Sequence, residues 1–254
     1  DDIEMAGPAF AFEVPEANPI PVGDLTTGTV IRYLVRKSGI QMKATEEVLE
    51  DNREPEALKL PRRNKAAMWR TVELDCTNLM IRALDTNYPW ADGQVLASAS
   101  HTLPAGGTFR NLASVNYAPS PAAVAIYRAA VRKQVGHHGA LQPLQLKKVL
   151  FPVDQEEAWY QLTKASKEPE LGNFARLNYA KSLGITPVPL PYWTTSTTQY
   201  CFLTDSDGQP EFRWARKMRS REWTEQENEI FHQSQTARYA INYSDARAFY
   251  FVNA

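Results

Sequence analysis

Between Pro61 and Asn87, apolar side chains recur at Trp69, Val72, Cys76, Leu79 or Met80, and Ala83 or Leu84. Gaps of three and four place these positions on one face of a helix of period ~3.6. Arg63, Lys65, Arg70, Glu73 and Asp85 fall largely outside the stripe. The pattern predicts a long amphipathic helix over 61–87, about 30 Å from Ala66 to Thr86 at ~1.5 Å per residue. Such a helix spans a small domain and is expected to serve as its backbone.

Upstream the period changes to two. Ile31, Tyr33 and Val35 alternate with Arg32, Leu34 and Arg36, and Ile40, Met42 and Ala44 alternate with Gln41 and Lys43. Ser38-Gly39 between the two runs is turn chemistry, so a β-hairpin is expected. A lone two-stranded hairpin is marginal in water and needs a partner surface, inside or outside the subunit. Deleting 24–45 is expected to leave a folded subunit if that surface lies outside. Residues 1–23 carry Pro8, Pro15, Pro19 and Pro21 and no regular apolar period, which predicts an extended arm resting on something else, such as a neighbouring copy. Thr45, with Glu46 and Glu47 behind it, reads as the cap of a short helix ending at Asn52. Pro55 and Pro61 are expected to make 53–60 a hinge.

Downstream, Pro89 to Gly93 reads as a turn and 94–119 as a loose hairpin or loop. Ser120-Pro121 opens a second amphipathic helix with Ala123, Ile126, Tyr127, Ala130, Val131 and Gln134 on one face, ended by Gly136 or Gly139. Lys148 to Val153 reads as a buried strand. Asp154 to Glu157 is a capping-box-like start for a helix carrying Ala158, Trp159, Leu162 and Ala165. The prolines of 185–190 suit an edge strand, and 200–203 is a further strand. The span 120–204 thus predicts a compact α/β unit, inserted into a chain that is α+β as a whole. In 210–254, alternation at Phe212 and Trp214, and again at Tyr239, Ile241 and Tyr243, predicts long strands around a polar middle from Ser220 to Gln235.

With 254 residues, 43% of them hydrophobic, the chain can bury the core of one or two domains. A net charge of -1 creates no global attraction to nucleic acid or membrane. No apolar run approaches the ~18 residues of a membrane helix, and the start shows no signal-peptide pattern. Cys76 and Cys201 sit far apart in apolar surroundings and read as core thiols in a reducing compartment. Asp1 in place of Met reads as a protease product or a trimmed start.

The chemistry-bearing residues form no known constellation. The four histidines, His101, His137, His138 and His232, show no HExxH spacing and there is no CxxC to join them. His137-His138 reads as a solvated helix end rather than a metal pair. There is no GxSxG, phosphate-binding loop or dinucleotide fingerprint, and Gly106-Gly107-Thr108 reads as a turn. Helix-start electrostatics explain Glu46-Glu47 and Glu156-Glu157. No catalytic residue, metal or cofactor is expected, and an enzyme is disfavoured.

Charge clusters say more. Arg213, Arg216, Lys217, Arg219 and Arg221 crowd one stretch and are answered by Glu222, Glu225, Glu227 and Glu229; Arg62, Arg63, Lys65 and Arg70 cluster at the start of the long helix. Solvated faces and complementary charge between subunits both fit. A sequence-tolerant nucleic-acid groove, for which Trp214 and Trp223 supply aromatics, is disfavoured by the adjacent acids. The candidate inter-subunit contacts are Ile31, Tyr33, Val35, Arg36, Lys37, Ile40 and Met42, with Arg213, Arg216, Lys217, Arg219, Arg221, Glu222 and Glu225.

The order of parts resembles the Hong Kong 97-type major capsid proteins of tailed bacteriophages and prophage heads. The stretches that carry it are Ala44 to Asp51 leading into the long helix; Asp92-Gly93-Gln94-Val95-Leu96 with Ser100-His101; and Leu146 to Val153 before the Trp159 helix. Asn178 and Gly184 then precede Pro189-Leu190-Pro191-Tyr192-Trp193, followed by Tyr200 to Asp205 and Ala237 to Ala248. The resemblance implies an N-terminal arm (1–23), an extended β-hairpin loop (24–45), a peripheral domain (46–118 and 205–254) with 61–87 as its spine helix, and an axial α/β domain (119–204). It implies a structural protein of the virion that assembles with itself, as pentamers and hexamers, into an icosahedral shell around double-stranded DNA held without sequence specificity. Assembly would take place in the host cytoplasm. A scaffolding segment, a prohead protease, portal and decoration proteins are the further partners implied, and no membrane. Lys37 and Lys43 lie in the loop where some relatives crosslink, but no partner asparagine stands out. An encapsulin-like compartment and a monomeric nucleic-acid-binding module or small enzyme remain the alternatives.

Overall fold

The apolar stripe around Val72 becomes the middle of helix α1 (Glu56–Ile81) in the computed structural model, which describes residues 2–6, 25–45, 47, 56–104, 106–165 and 178–253. The helix starts before Pro61 and runs through it, so 56–60 is not a hinge; the ring removes one backbone N–H donor from the second turn. Turns follow Ile81, ending the helix short of Asn87. Its buried positions are Asn64, Met68, Val72, Thr77 and Met80, whereas Trp69 is 50% exposed. The buried line thus includes two polar residues that an apolar stripe leaves out. Trp69 instead meets the edge of Trp214, ring centroids 5.9 Å apart.

The hairpin expected around Ser38-Gly39 does not form. Strand β1 (Asp2–Ala6) pairs antiparallel with β2 (Thr26–Ile31), while β3 (Arg36–Thr45) runs straight through Ser38-Gly39. Gly39 lies opposite Thr236 in a neighbouring strand, and a Cβ there would come within 3.1 Å of Thr236 Cγ2 and 3.3 Å of the Gln235 carbonyl. The glycine serves close strand approach rather than a turn. Deleting 24–45 would therefore strip a strand from a sheet. Arm residues 7–23 and the expected helix over 45–52, apart from Thr45 and Glu47, lie outside the described residues.

One compact unit comprises 33–78 and 211–242. Its sheet has the order β3–β10–β9, with β9 (Glu211–Glu225) and β10 (Ile230–Asn242) joined by a turn at 226–229. Both strands continue through the polar middle from Ser220 to Gln235, so that stretch is the far half of one long hairpin. Alternation on β10 buries Gln233, Gln235, Ala237 and Tyr239. Ala237 and Tyr239 pack with Met68 and Val72 of α1, flanked by Ile40, Cys76, Phe212, Trp214 and Met218. Polar contacts with α1 accompany this cluster. Asn64 Nδ2 donates to Gln233 Oε1 (2.6 Å), Gln235 Nε2 to the Pro61 carbonyl (3.2 Å), and the Tyr239 hydroxyl to Asp75 Oδ2 (2.5 Å). Burial, and then the hydrogen bond to Asp75, push the Tyr239 phenol up and keep it a donor.

The other unit comprises 1–32, 79–210 and 243–254 and includes a short ribbon of β4 (His101–Thr102) and β5 (Thr108–Phe109). Its four-stranded sheet runs β11 (Phe249–Val252), β8 (Tyr200–Thr204), β6 (Leu146–Pro152), β7 (Thr186–Leu190); β6 and β7 are parallel, the other pairs antiparallel. Pro187 and Pro189 lie on the edge strand, as expected. The C-terminal strand belongs to this sheet beside β8, although sequence order grouped it with the long helix. Helix α2 (Pro121–Arg132) begins as its sequence predicts, with Ser120 Oγ accepting from the Ala123 N–H at 3.1 Å. It buries Ala123, Val124, Tyr127 and Val131, while Ile126 stays 48% exposed. Helix α3 (Glu156–Lys164) buries Trp159 and Leu162 but has no side-chain cap. Gln155 instead accepts from Trp159 Nε1 at 3.0 Å and donates to the Thr197 carbonyl at 2.8 Å. Trp159 stacks on Phe151 and meets Tyr200 and Phe202 edge-on, at centroid distances of 5.9, 5.0 and 5.7 Å. Both cysteines are free thiols, and burial pushes each upward.

Candidate subunit interface

The three-stranded sheet has two unlike faces because β-strand side chains alternate. One face meets α1. The other is set out in rows by the register of β9, β10 and β3: Arg216, Arg238 and Lys37; then Arg219, Thr236 and Gly39; Arg221, Ser234 and Gln41; Trp223, His232 and Lys43; and last Glu225, Ile230 and Thr45. Every Lys and Arg in these rows is exposed. Beyond the last row the turn adds Glu227 and Glu229. Charge therefore changes sign along the hairpin, basic through its stem and acidic at its tip.

Only some of these charges have partners. Arg216 Nη2 donates to Thr236 Oγ1 at 3.0 Å, and Arg213 pairs with Glu211 at 2.8 Å. His232 lies flat against Trp223, centroids 5.1 Å apart and planes 5° apart. Its Nδ1 is 2.9 Å from Gln41 Nε2, and its Nε2 is 3.3 Å from Glu225. Among the described residues, Lys37, Lys43, Arg219, Arg221 and Arg238 have no carboxylate within salt-bridge distance.

The candidates named from sequence separate accordingly. Lys37, Arg216, Arg219 and Arg221 share the outer face; Lys217 is exposed beside the irregular pairing of Arg216 with Arg238. Glu225 begins the acidic tip, and Glu222 sits opposite Gln233 on the inner side. Arg36 instead reaches Asp75 at 3.3 Å within its own subunit. Ile31 is buried at 6% exposure, and Ile40 packs on the α1 cluster; Met42 lies opposite buried Gln233. Ile31 sits on β2, paired with β1, and the strand that carries Ile40 and Met42 pairs with β10, so all three are engaged inside their own chain. Tyr33 and Val35 lie between β2 and β3, outside any strand. Sequence reasoning missed Lys43, Arg238, Trp223 and His232 on the outer face. Their alternation was visible, but the pairing of β3 with β10, which aligns them with the arginines, was not.

Elsewhere the buried polar groups hold loops together. His101 is fully buried, with Nδ1 2.8 Å from Asp92 Oδ2 and Nε2 3.1 Å from the Leu96 carbonyl. Burial alone would push the Asp92 carboxyl up, but the hydrogen bond to His101 and the N–H groups of Gln94 and Thr102 outweigh it and hold it below its ordinary value. Arg247, also fully buried, bonds both Asp245 oxygens through Nε at 2.9 and 3.1 Å and donates through Nη1 to the Val135 carbonyl at 3.2 Å. Nη2 meets His137. Gly208 leaves room for this pin, since a Cβ there would sit 2.3 Å from Asp245 Cβ. A buried pair with its donors satisfied is structural. Among the described residues, no three His, Cys, Asp or Glu converge to hold a metal, and no helix is long and apolar enough to cross a membrane.

No protein-family model and no curated protein matches the chain. Solved structures match its fold: the α+β architecture is similar to that of phage capsid structures. In particular, the chain matches the asymmetric unit of the bacteriophage PhiM1 mature capsid with a TM-score of 0.57 at 10% identity, over 99% of this chain and 81% of that one. A chain of Mycobacterium phage Bobi matches with a TM-score of 0.55 at 11% identity, over 99% and 84%. The capsid of an empty GTA particle matches with a TM-score of 0.51 at 11% identity, over 99% and 83%.

Proposed function

We propose that this chain is a major capsid protein of Hong Kong 97 type, from a tailed phage or a prophage head. It assembles with itself, through pentamers and hexamers, into an icosahedral shell that encloses double-stranded DNA, and its role is structural rather than catalytic. The observation that carries the proposal is a fold match to a mature phage capsid over 99% of the chain. The exposed, charged face of the β3–β10–β9 sheet adds support, because a shell subunit needs surfaces that only a neighbour completes.

In this reading α1 is the spine helix of the peripheral domain and 119–204 forms the axial domain, with β11 added to its sheet. Residues 1–23 are the arm, and 24–35 is the part of the extended loop that can reach a neighbour, since β3 is held by β10. A scaffolding segment, a prohead protease, portal and decoration proteins are the partners such a shell uses, and the virion is its location. Electron microscopy of the purified chain tests the proposal. Uniform closed shells containing nuclease-protected DNA when isolated from the host are expected. Shells filled with protein cargo point to an encapsulin-like compartment, and a monomer under all assembly conditions overturns the proposal.

A further inference from the structure

We propose that the basic outer face of the β3–β10–β9 sheet is the docking surface for the acidic hairpin tip of a second copy of this chain. The inference rests on the shell reading above and names the contact that reading leaves open. Lys37, Arg216, Arg219, Arg221 and Arg238 occupy the first three rows of the face, and Glu225, Glu227 and Glu229 occupy the far end. Each copy thus carries both halves of a complementary pair on one rigid element.

Distance prevents a copy from satisfying itself. Arg221 is four residues along β9 from Glu225, about 14 Å at ~3.4 Å per residue. That exceeds the ~8 Å over which exposed charges act at physiological salt. Among the described residues, Arg219, Arg221, Arg238 and Lys37 have no carboxylate within salt-bridge distance, which agrees. Placing the tip of one copy on the stem of the next brings opposite charges together without bending either hairpin. The contact joins two different patches, so it is heterologous, and repeating it closes a ring when its rotation divides a full turn. A polyanion is the poorer occupant: the same hairpin would present Glu225, Glu227 and Glu229 to it, and the chain as a whole carries a net charge of -1. Trp223, 43% exposed and stacked on His232, sits where stem gives way to tip and supplies a flat apolar floor for the docked end.

Two variants of the full chain test the inference. One reverses the stem (Arg219→Glu with Arg221→Glu), the other the tip (Glu227→Lys with Glu229→Lys). All four side chains are exposed, and circular dichroism checks that each variant folds. By sedimentation velocity, each variant alone is expected to lose self-association by about tenfold or more, whereas an equimolar mixture regains it because every tip again meets an opposite face. Wild-type association is expected to weaken as salt rises. Either variant associating like wild type, or a mixture no better than its components, overturns the inference and leaves the shell reading standing. A stem variant that assembles normally but packages less nucleic acid also overturns it, in favour of a nucleic-acid face. A wild-type chain that remains monomeric overturns both.

Discussion

The two sheets differ in how much of their stability they carry within the subunit. In the β11–β8–β6–β7 unit, Val149, Phe151, Trp159, Tyr200, Phe202 and Val124 are fully buried, and helices and loops of the same unit complete the core. In the β3–β10–β9 unit the buried apolar cluster is smaller, Met68, Val72, Ala237 and Tyr239, and the polar side chains of Asn64, Gln233, Gln235 and Asp75 share the helix–sheet contact with it. Burying apolar area is the main source of folding free energy, whereas a satisfied buried hydrogen bond adds only ~0.5–1.5 kcal/mol. The first unit is therefore expected to fold on its own resources. The second fixes geometry with polar contacts and leaves the outer face of its sheet exposed.

The strongest challenge to this contrast is Trp159→Ala, which removes the centre of the aromatic cluster. It is expected to cost ~3–5 kcal/mol in urea unfolding, and a loss below about 1 kcal/mol would show that the first core is not the stable one. Alkaline pH should then act chiefly on the same unit. Burial, reinforced by neighbouring tyrosines, pushes Tyr200 far up and Tyr250 up to about 12 from an ordinary 10.0. The folded state holds these protons more tightly than the unfolded chain, so their contribution is complete below pH 10 and falls above it, the Tyr250 part being lost by about pH 12 while the Tyr200 part continues to fall beyond. Thermal unfolding followed from pH 9 to 12 should show a falling midpoint, with a shallower fall in Tyr250→Phe.

In the second unit, Asn64→Ala leaves the buried Gln233 amide without its partner and should cost ~1–3 kcal/mol. Replacing both residues by leucine should recover much of that loss, since no polar group is then stranded; an equal loss in single and double variants would mean that packing, not hydrogen bonding, sets the helix–sheet contact there. The smallest effect on the subunit is expected at Arg219→Ala, within about 0.5 kcal/mol in unfolding. The same change should measurably weaken self-association, and a stability loss without an assembly defect would place Arg219 in the fold rather than at an interface.

Local signals were read well where one short segment decides the outcome. Ser120-Pro121 starts α2 because cap and first-turn geometry depend on adjacent residues, and the prolines at 187 and 189 mark an edge because they cannot donate to a second neighbour. Helix α1 was legible from its period, but its buried line was not: Asn64 and Thr77 are inside and Trp69 is half outside. The hairpin at 31–44 failed for a related reason. Ser-Gly suits a tight turn, yet the same glycine also permits close strand approach, and residues almost two hundred positions away decided between the two uses. The charge clusters were visible in sequence, though not their arrangement.

By itself, then, the amino-acid sequence determined the alternation along β3 and β10, the cap that starts α2, the lack of any recognised catalytic motif, and the presence of both charge signs between Arg213 and Glu229. Those follow from steric and electrostatic preferences that act over a few residues. Tertiary structure alone decided that β3 lies beside β10, that β11 closes the aromatic sheet, and that basic residues from three strands gather on one face with the acids at its end. Strand partners and register are settled by competition among all the surfaces the chain can bury at once, and no local pattern contains that comparison.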